Sequence, residues 1–159
     1  MVKIKKLPKA IIGFFLMIFR IRNFNPEKIF SGKRIAVVGP ADSAYDEFKG
    51  AYIDQFDYVI RINKALITWK PENEKYIGTK TDILVHSFLE DEFTGGGQMD
   101  FDLFCKYKVK YVLNAKHNFK NYRDIFNVYK KYLTRNKVYL LSKQKVKDCE
   151  FFFNKHGFG

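Results

Sequence analysis

Residues 34–63 read RIAVVGPADSAYDEFKGAYIDQFDYVIRIN, and residues 78–82 read GTKTD. The apolar run ending at Val38 is cut by Gly39-Pro40, a pair that opens a loop. A second run alternates from Asp57 to Asn63, with Tyr58, Ile60 and Ile62 on one face of a strand and Asp57, Val59, Arg61 and Asn63 on the other. Two such strands, each ending in a polar turn, set those turns side by side over one edge of a sheet. In open α/β sheets, ligands bind beyond the carboxyl ends of the strands. The candidate site is thereby located before any chemistry is assigned to it.

Outward from this stretch the pattern keeps alternating. Asn25 followed by Pro26 and Glu27 signals a helix start, with Asn as cap and Pro where its missing N–H does no harm. Strands are predicted at 34–38, 57–62, 81–86, 110–113 and 138–141. Helices are predicted at 100–107, at 120–134 and from Lys143, and Gly95–Gly97 forms a loop. The 120–134 helix is marked by Tyr122, Ile125, Phe126, Tyr129 and Leu133 at helical spacing, a stripe that reads as core. Strands interleaved with helices mean an α/β fold, a Rossmann-like, mostly parallel sheet flanked by helices and preceded by a basic apolar N-terminal helix. Two segments are expected: 1–24, basic and apolar, and 25–159, the α/β domain.

With 159 residues, 47% hydrophobic and 18% aromatic, the chain can bury a core and is not disordered. A formal charge of +12 predicts attraction to anions. The basic residues are scattered rather than gathered on one element, which argues against nucleic acid as a partner. Cys105 and Cys149 suggest neither a zinc site nor a disulfide, so reduced thiols in a cytoplasmic setting are expected. The apolar run from Ala10 to Phe19 follows KIKKLPK and precedes Arg20 and Arg22. It falls short of the roughly 20 apolar residues needed to cross a bilayer. Its basic flanks suit a helix lying on an anionic membrane surface, and its composition suits a helix packed into the core equally well.

Each strand ends on a polar or turn-forming residue: Gly39, Asn63, His86-Ser87, Asn114 and Ser142. Such residues also cap strands for purely local reasons. Arg61, charged and inside a covered strand, needs a partner, and Asp54 or Asp57 is expected to supply it and so fix the loop bearing Asn63. Asn63 offers both a donor and acceptors, which suits a ribose hydroxyl or a phosphate oxygen. Of His86, His117 and His156, only His86 stands at a strand end, where it can touch a substrate. Asp100-Phe101-Asp102 has the form of a metal-holding pair, but it opens a predicted helix, where acids cap free N–H groups. Glu90-Asp91-Glu92 reads as a solvated loop. No metal site is assigned.

The central stretch resembles the large sialyl motif of glycosyltransferase family 29, the sialyltransferases. The residues that carry the likeness are Val37-Val38-Gly39, Gly50, Ile53-Asp54, Asp57, Val59, Arg61, Asn63, Lys64-Ala65, Gly78, Lys80 and Thr81, all at the motif's spacing. The resemblance implies a GT-A-like fold that binds CMP-sialic acid and transfers the sugar to a glycan hydroxyl. The transfer would proceed with inversion, without a metal ion or other cofactor, the CMP-sugar being a substrate. It further implies that Gly39 opens the donor loop, with Ala41 and Ser43 in it, that Asn63 contacts the nucleotide, and that Asp54, Asp57 and Arg61 are supports. Pro40-Ala41 stand where the family usually has Asn-Ser, and Ile35 stands where the animal enzymes have a disulfide-forming Cys. The family's later motifs, one with the catalytic His, do not appear before Gly159. The chain is therefore read as the N-terminal part of a longer catalytic domain, and no catalytic base is assigned. The partners expected are a nucleotide sugar and a saccharide acceptor. The alternatives are a non-catalytic nucleotide- or glycan-binding module and a peripheral membrane protein.

Overall fold

A computed structural model describes residues 7–39, 41–88, 90, 96–114, 122–129, 138–142, 144–148 and 155. In chain order the elements are α1 (Leu7–Phe19), β1 (Ile21–Asn23), α2 (Pro26–Phe30), β2 (Ile35–Val38), α3 (Gly50–Ile53), β3 (Tyr58–Ile62), α4 (Glu74–Ile77), β4 (Ile83–His86), α5 (Phe101–Lys106), β5 (Tyr111–Asn114), α6 (Tyr122–Tyr129) and β6 (Val138–Leu140). The architecture is α/β, and its strands are parallel wherever a register is defined among the described residues. The chain divides into two compact units, 25–113 and 1–24 together with 114–159.

In the unit 25–113, β2, β3, β4 and β5 lie side by side in that order. Ile35–Val38 pairs with Tyr58–Arg61, and Ile60–Ile62 pairs with Ile83–Val85. The alternation read in β3 is what the fold uses, because Val59 and Arg61 are buried while Tyr58, Ile60 and Ile62 are half-buried. In β4 an unbroken apolar run is covered on both faces, with Ile83 and Leu84 fully buried. Val38, Val59 and Ile77 form a cluster closed over by Ile53, Phe56, Trp69 and Tyr76.

Two glycines of the motif are explained by close approach. A Cβ on Gly50 would lie 1.8 Å from the Glu74 carbonyl oxygen, and one on Gly78, at φ 68°, would lie 2.3 Å from Asp54 Oδ1. A side chain at either position would therefore push α3 away from α4. The stretch from Trp69 to Gly78, between β3 and β4, holds α4 and a 3-10 turn at Pro71–Asn73. At the start of the unit Asn25 caps α2 as expected, accepting from the Lys28 N–H at 3.1 Å.

The other unit pairs β1 with β6, Ile21 facing Val138, and packs α1 on α6. The predicted stripe of α6 is confirmed at Ile125 and Tyr129, which are buried. Tyr122 is exposed but meets the edge of Phe14 with ring centroids 5.3 Å apart. Leu133 lies outside the described residues.

Candidate functional site at the strand tips

The parallel register determines which residues meet. Val38 is level with Arg61, and Ile62 with Val85. One residue further along each strand, Gly39 comes beside Ile62, and Asn63 beside His86. The tips of β2, β3 and β4 thus form one row.

Gly39 has nothing within 4 Å of the position a Cβ would take, and its φ is not in the left-handed region. Neither local packing nor backbone strain requires glycine there. The space beside it is a cavity of about 250 Å³, lined by Val38, Gly39, Ser43, Lys49, Ile53 and Tyr76 among others. Gly39 and Ser43 are thus brought together. Ala41 is exposed, and its carbonyl accepts from the Ala44 N–H at 3.0 Å to start the 3-10 turn Asp42–Tyr45. Pro40 lies outside the described residues. At the rim Lys49 pairs with Glu47 at 2.9 Å.

Asn63 sits at φ 52°, a left-handed conformation that Asn tolerates better than most side chains. From there its Oδ1 accepts the Ser87 N–H at 3.1 Å, tying the tip of β3 to that of β4. The acceptor is committed inside the protein, so Nδ2 is the group left to offer, and among the described residues nothing accepts from it.

His86 is fully buried. Its Nδ1 accepts the Phe88 N–H at 2.8 Å, which puts the proton of the neutral ring on Nε2. That Nε2 is buried beside the backbone of Gly96 and Gly97 without completing a hydrogen bond. Burial lowers the His86 pKa below its ordinary value, opposed by the nearby glycine backbone and the charge of Glu90. The ring is therefore neutral near pH 7 and presents a donor, while its one basic nitrogen is already occupied. Gly97, at φ 71°, packs so closely on Lys64 that a Cβ would lie 2.8 Å from the lysine Cβ.

The support for this row differs from the expectation. Among the described residues Arg61 touches no carboxylate. It is fully buried, and its Nε donates to Thr81 Oγ1 at 2.9 Å, while Nη2 donates to the carbonyls of Ile77 at 2.8 Å and Gly78 at 3.0 Å. Carbonyl dipoles hold the charge without a second ion having to be desolvated beside it. Among the described residues nothing accepts from Nη1. Asp54 acts one step away, accepting from the Thr79 and Lys80 N–H groups at 3.0 Å and so pinning the loop whose carbonyls hold Arg61. Burial lowers the Arg61 pKa below its ordinary value, and the charge of Asp54 opposes that shift. Asp57 is used elsewhere: its Oδ2 accepts the Arg34 N–H at 2.9 Å, and this hydrogen bond, with Lys33 nearby, lowers its pKa.

Sequence reading passed over Asp82. Its buried carboxylate accepts the Val59 N–H at 2.9 Å and lies 2.7 Å from Lys110 Nζ, which raises the lysine pKa. The available signal was an acid set against the apolar run ILVH. Asp100, weighed as half of a metal pair, accepts the Leu103 N–H at 2.9 Å and caps α5. Asp91, Glu92, Gly95, His117, Cys149 and His156 lie outside the described residues.

The model of one protein family, described as glycosyltransferase family 29 (sialyltransferase), matches residues 4–153. A comparison with curated proteins gives no match.

Proposed function

The chain belongs to glycosyltransferase family 29, the sialyltransferase family, and on that premise we propose that it binds CMP-sialic acid across the tips of β2 and β3 for transfer of the sugar to a glycan hydroxyl. The observation that carries this reading is Gly39, a glycine that no packing or strain requires, opening onto a cavity beside a strand tip. Such a glycine lets a ligand approach the backbone. The phosphate is assigned to the Gly39 loop and Ser43, and the nucleotide to Asn63 Nδ2. Lys49 supplies a cation at the rim, since an exposed ion pair such as Lys49–Glu47 is easily exchanged. Stabilisation of the departing CMP by these groups, without a metal ion, and inversion at the sugar carbon in a GT-A-type arrangement complete the reading.

His86 enters as a positioning donor and not as the base. A general base must accept the hydroxyl proton within hydrogen-bond reach, and the tautomer found leaves His86 only an N–H to give. The same observation favours a second reading, a module that binds the donor and does not transfer it.

Calorimetry with CMP, CMP-sialic acid, UMP and GDP tests the donor assignment. The proposal expects CMP and its conjugate to bind, and Asn63→Ala to weaken them by about 1–3 kcal/mol, the cost of an unmade buried hydrogen bond. Binding of UMP or GDP in preference to CMP would overturn it. Release of CMP from the conjugate in the presence of a saccharide acceptor separates the enzyme from the binding module.

A further inference from the structure

Helix α1 is apolar nearly all round, yet it buries little of that surface. Among its described side chains, Gly13 and Leu16 are buried and Ala10 is half-buried. This line of residues three apart is the seam on α6, where a Cβ on Gly13 would lie 1.8 Å from the Tyr122 carbonyl oxygen. So close a backbone contact fixes the rotation of the helix. Ile11, Ile12, Phe14, Phe15, Met17, Ile18 and Phe19 are left between 40% and 61% exposed. Phe15 and Phe19 stack on each other, with ring centroids 6.1 Å apart. A contiguous apolar surface of this kind marks an interaction site.

The charges around it identify the partner. Lys9, Arg20 and Arg22 are exposed at the two ends of the helix, and no acidic residue occurs before Glu27. We propose that α1 docks on an anionic membrane surface, its Phe and Ile side chains sunk into the headgroup boundary and its basic ends on lipid phosphates. The helix is Leu7–Phe19, about 20 Å long at 1.5 Å per residue, against a hydrocarbon core of about 30 Å. Lying in the plane of the interface is the geometry such a helix fits. A second copy of the chain is a poorer occupant, because pairing two such faces would bring their basic ends together.

The test is flotation of the full chain with vesicles of phosphatidylcholine alone or mixed with phosphatidylglycerol. The expected result is binding to the mixed vesicles that weakens with salt, with far less binding to phosphatidylcholine. Phe15→Ser with Phe19→Ser, both exposed side chains, should reduce binding about tenfold or more. Lys9→Gln with Arg20→Gln should lose about fivefold per charge on mixed vesicles and leave phosphatidylcholine binding unchanged. Circular dichroism and sedimentation of each variant establish that it remains folded and in what oligomeric state. The proposal is overturned if folded wild type stays with the soluble fraction, if the Phe variants float as well as wild type does, or if wild type is a dimer that those variants dissolve.

Discussion

The two ends of the same strands are built differently. At the amino ends polar groups are closed on one another: Asp82 holds the Val59 N–H and Lys110, and Asp57 holds the Arg34 N–H. At the carboxyl ends of β2, β3 and β4 some are left open, although at that of β5 Asn114 Nδ2 donates to the Tyr129 hydroxyl at 2.9 Å. Asn63 spends its oxygen on Ser87 and keeps its amide donor, the buried Nε2 of His86 lies beside the Gly96 and Gly97 backbone without a full hydrogen bond among the described residues, and Gly39 faces open space. Paired groups stabilise, whereas open ones in a packed protein cost free energy unless something else binds them. On the proposed reading the amino ends carry stability and the carboxyl ends carry binding, so substitutions at the two ends should have opposite signatures.

Arg61 lies between the ends and should give the largest effect. Arg61→Leu takes the charged donor from the Ile77 carbonyl and from Thr81 Oγ1, and leaves the Gly78 carbonyl with the Trp69 indole N–H alone; it is expected to cost about 3 kcal/mol or more in denaturant unfolding, since hydrogen bonds to a charged group are among the strongest. An ordinary small loss would mean that its buried hydrogen bonds are not the support described. Asp82→Ala should cost about 2 kcal/mol, from the unpaired Val59 N–H, with nucleotide affinity unchanged in the folded fraction. Weakened binding there would erase the distinction between the two ends. Gly39→Ala is the converse: unfolding midpoints should stay within about 0.5 kcal/mol of wild type, because the added methyl meets nothing, while CMP affinity falls about tenfold. Unchanged affinity would remove Gly39 from the donor site.

The smallest effect is that of pH. An unfolded chain protonates His86 near its ordinary value of 6.5, and the folded chain does so only lower, because burial opposes the charge. Stability contributed by this residue is therefore complete above pH 6.5 and declines as pH falls from there toward the folded value. Unfolding midpoints measured across that window should slope less in His86→Asn, which keeps an acceptor near the Phe88 N–H. Identical slopes would show that His86 is not held neutral by its surroundings.

Much of this was legible in the sequence. The apolar runs of β2 and β4 and the alternation of β3 place the row of tips, and the fixed spacing from Val37 to Thr81 carries the family. Other features have no sequence signal of comparable strength. β1 is three residues with one buried side chain, and α3 and α4 are four residues each, too short to show a period. The choice of carbonyls over a carboxylate for Arg61 depends on where the loop after α4 runs, and the commitment of Asn63 Oδ1 depends on its left-handed backbone. Both are set by tertiary contacts, foremost the glycine-mediated approach of α3 to α4.

Hydrogen exchange with and without CMP tests the central claim most directly. Slowed exchange confined to the loop after Gly39 and to Asn63–Leu66, with the amino ends of β3 and β4 unchanged, is the predicted result. Protection at the amino ends, or none at the tips under saturating CMP, would contradict it.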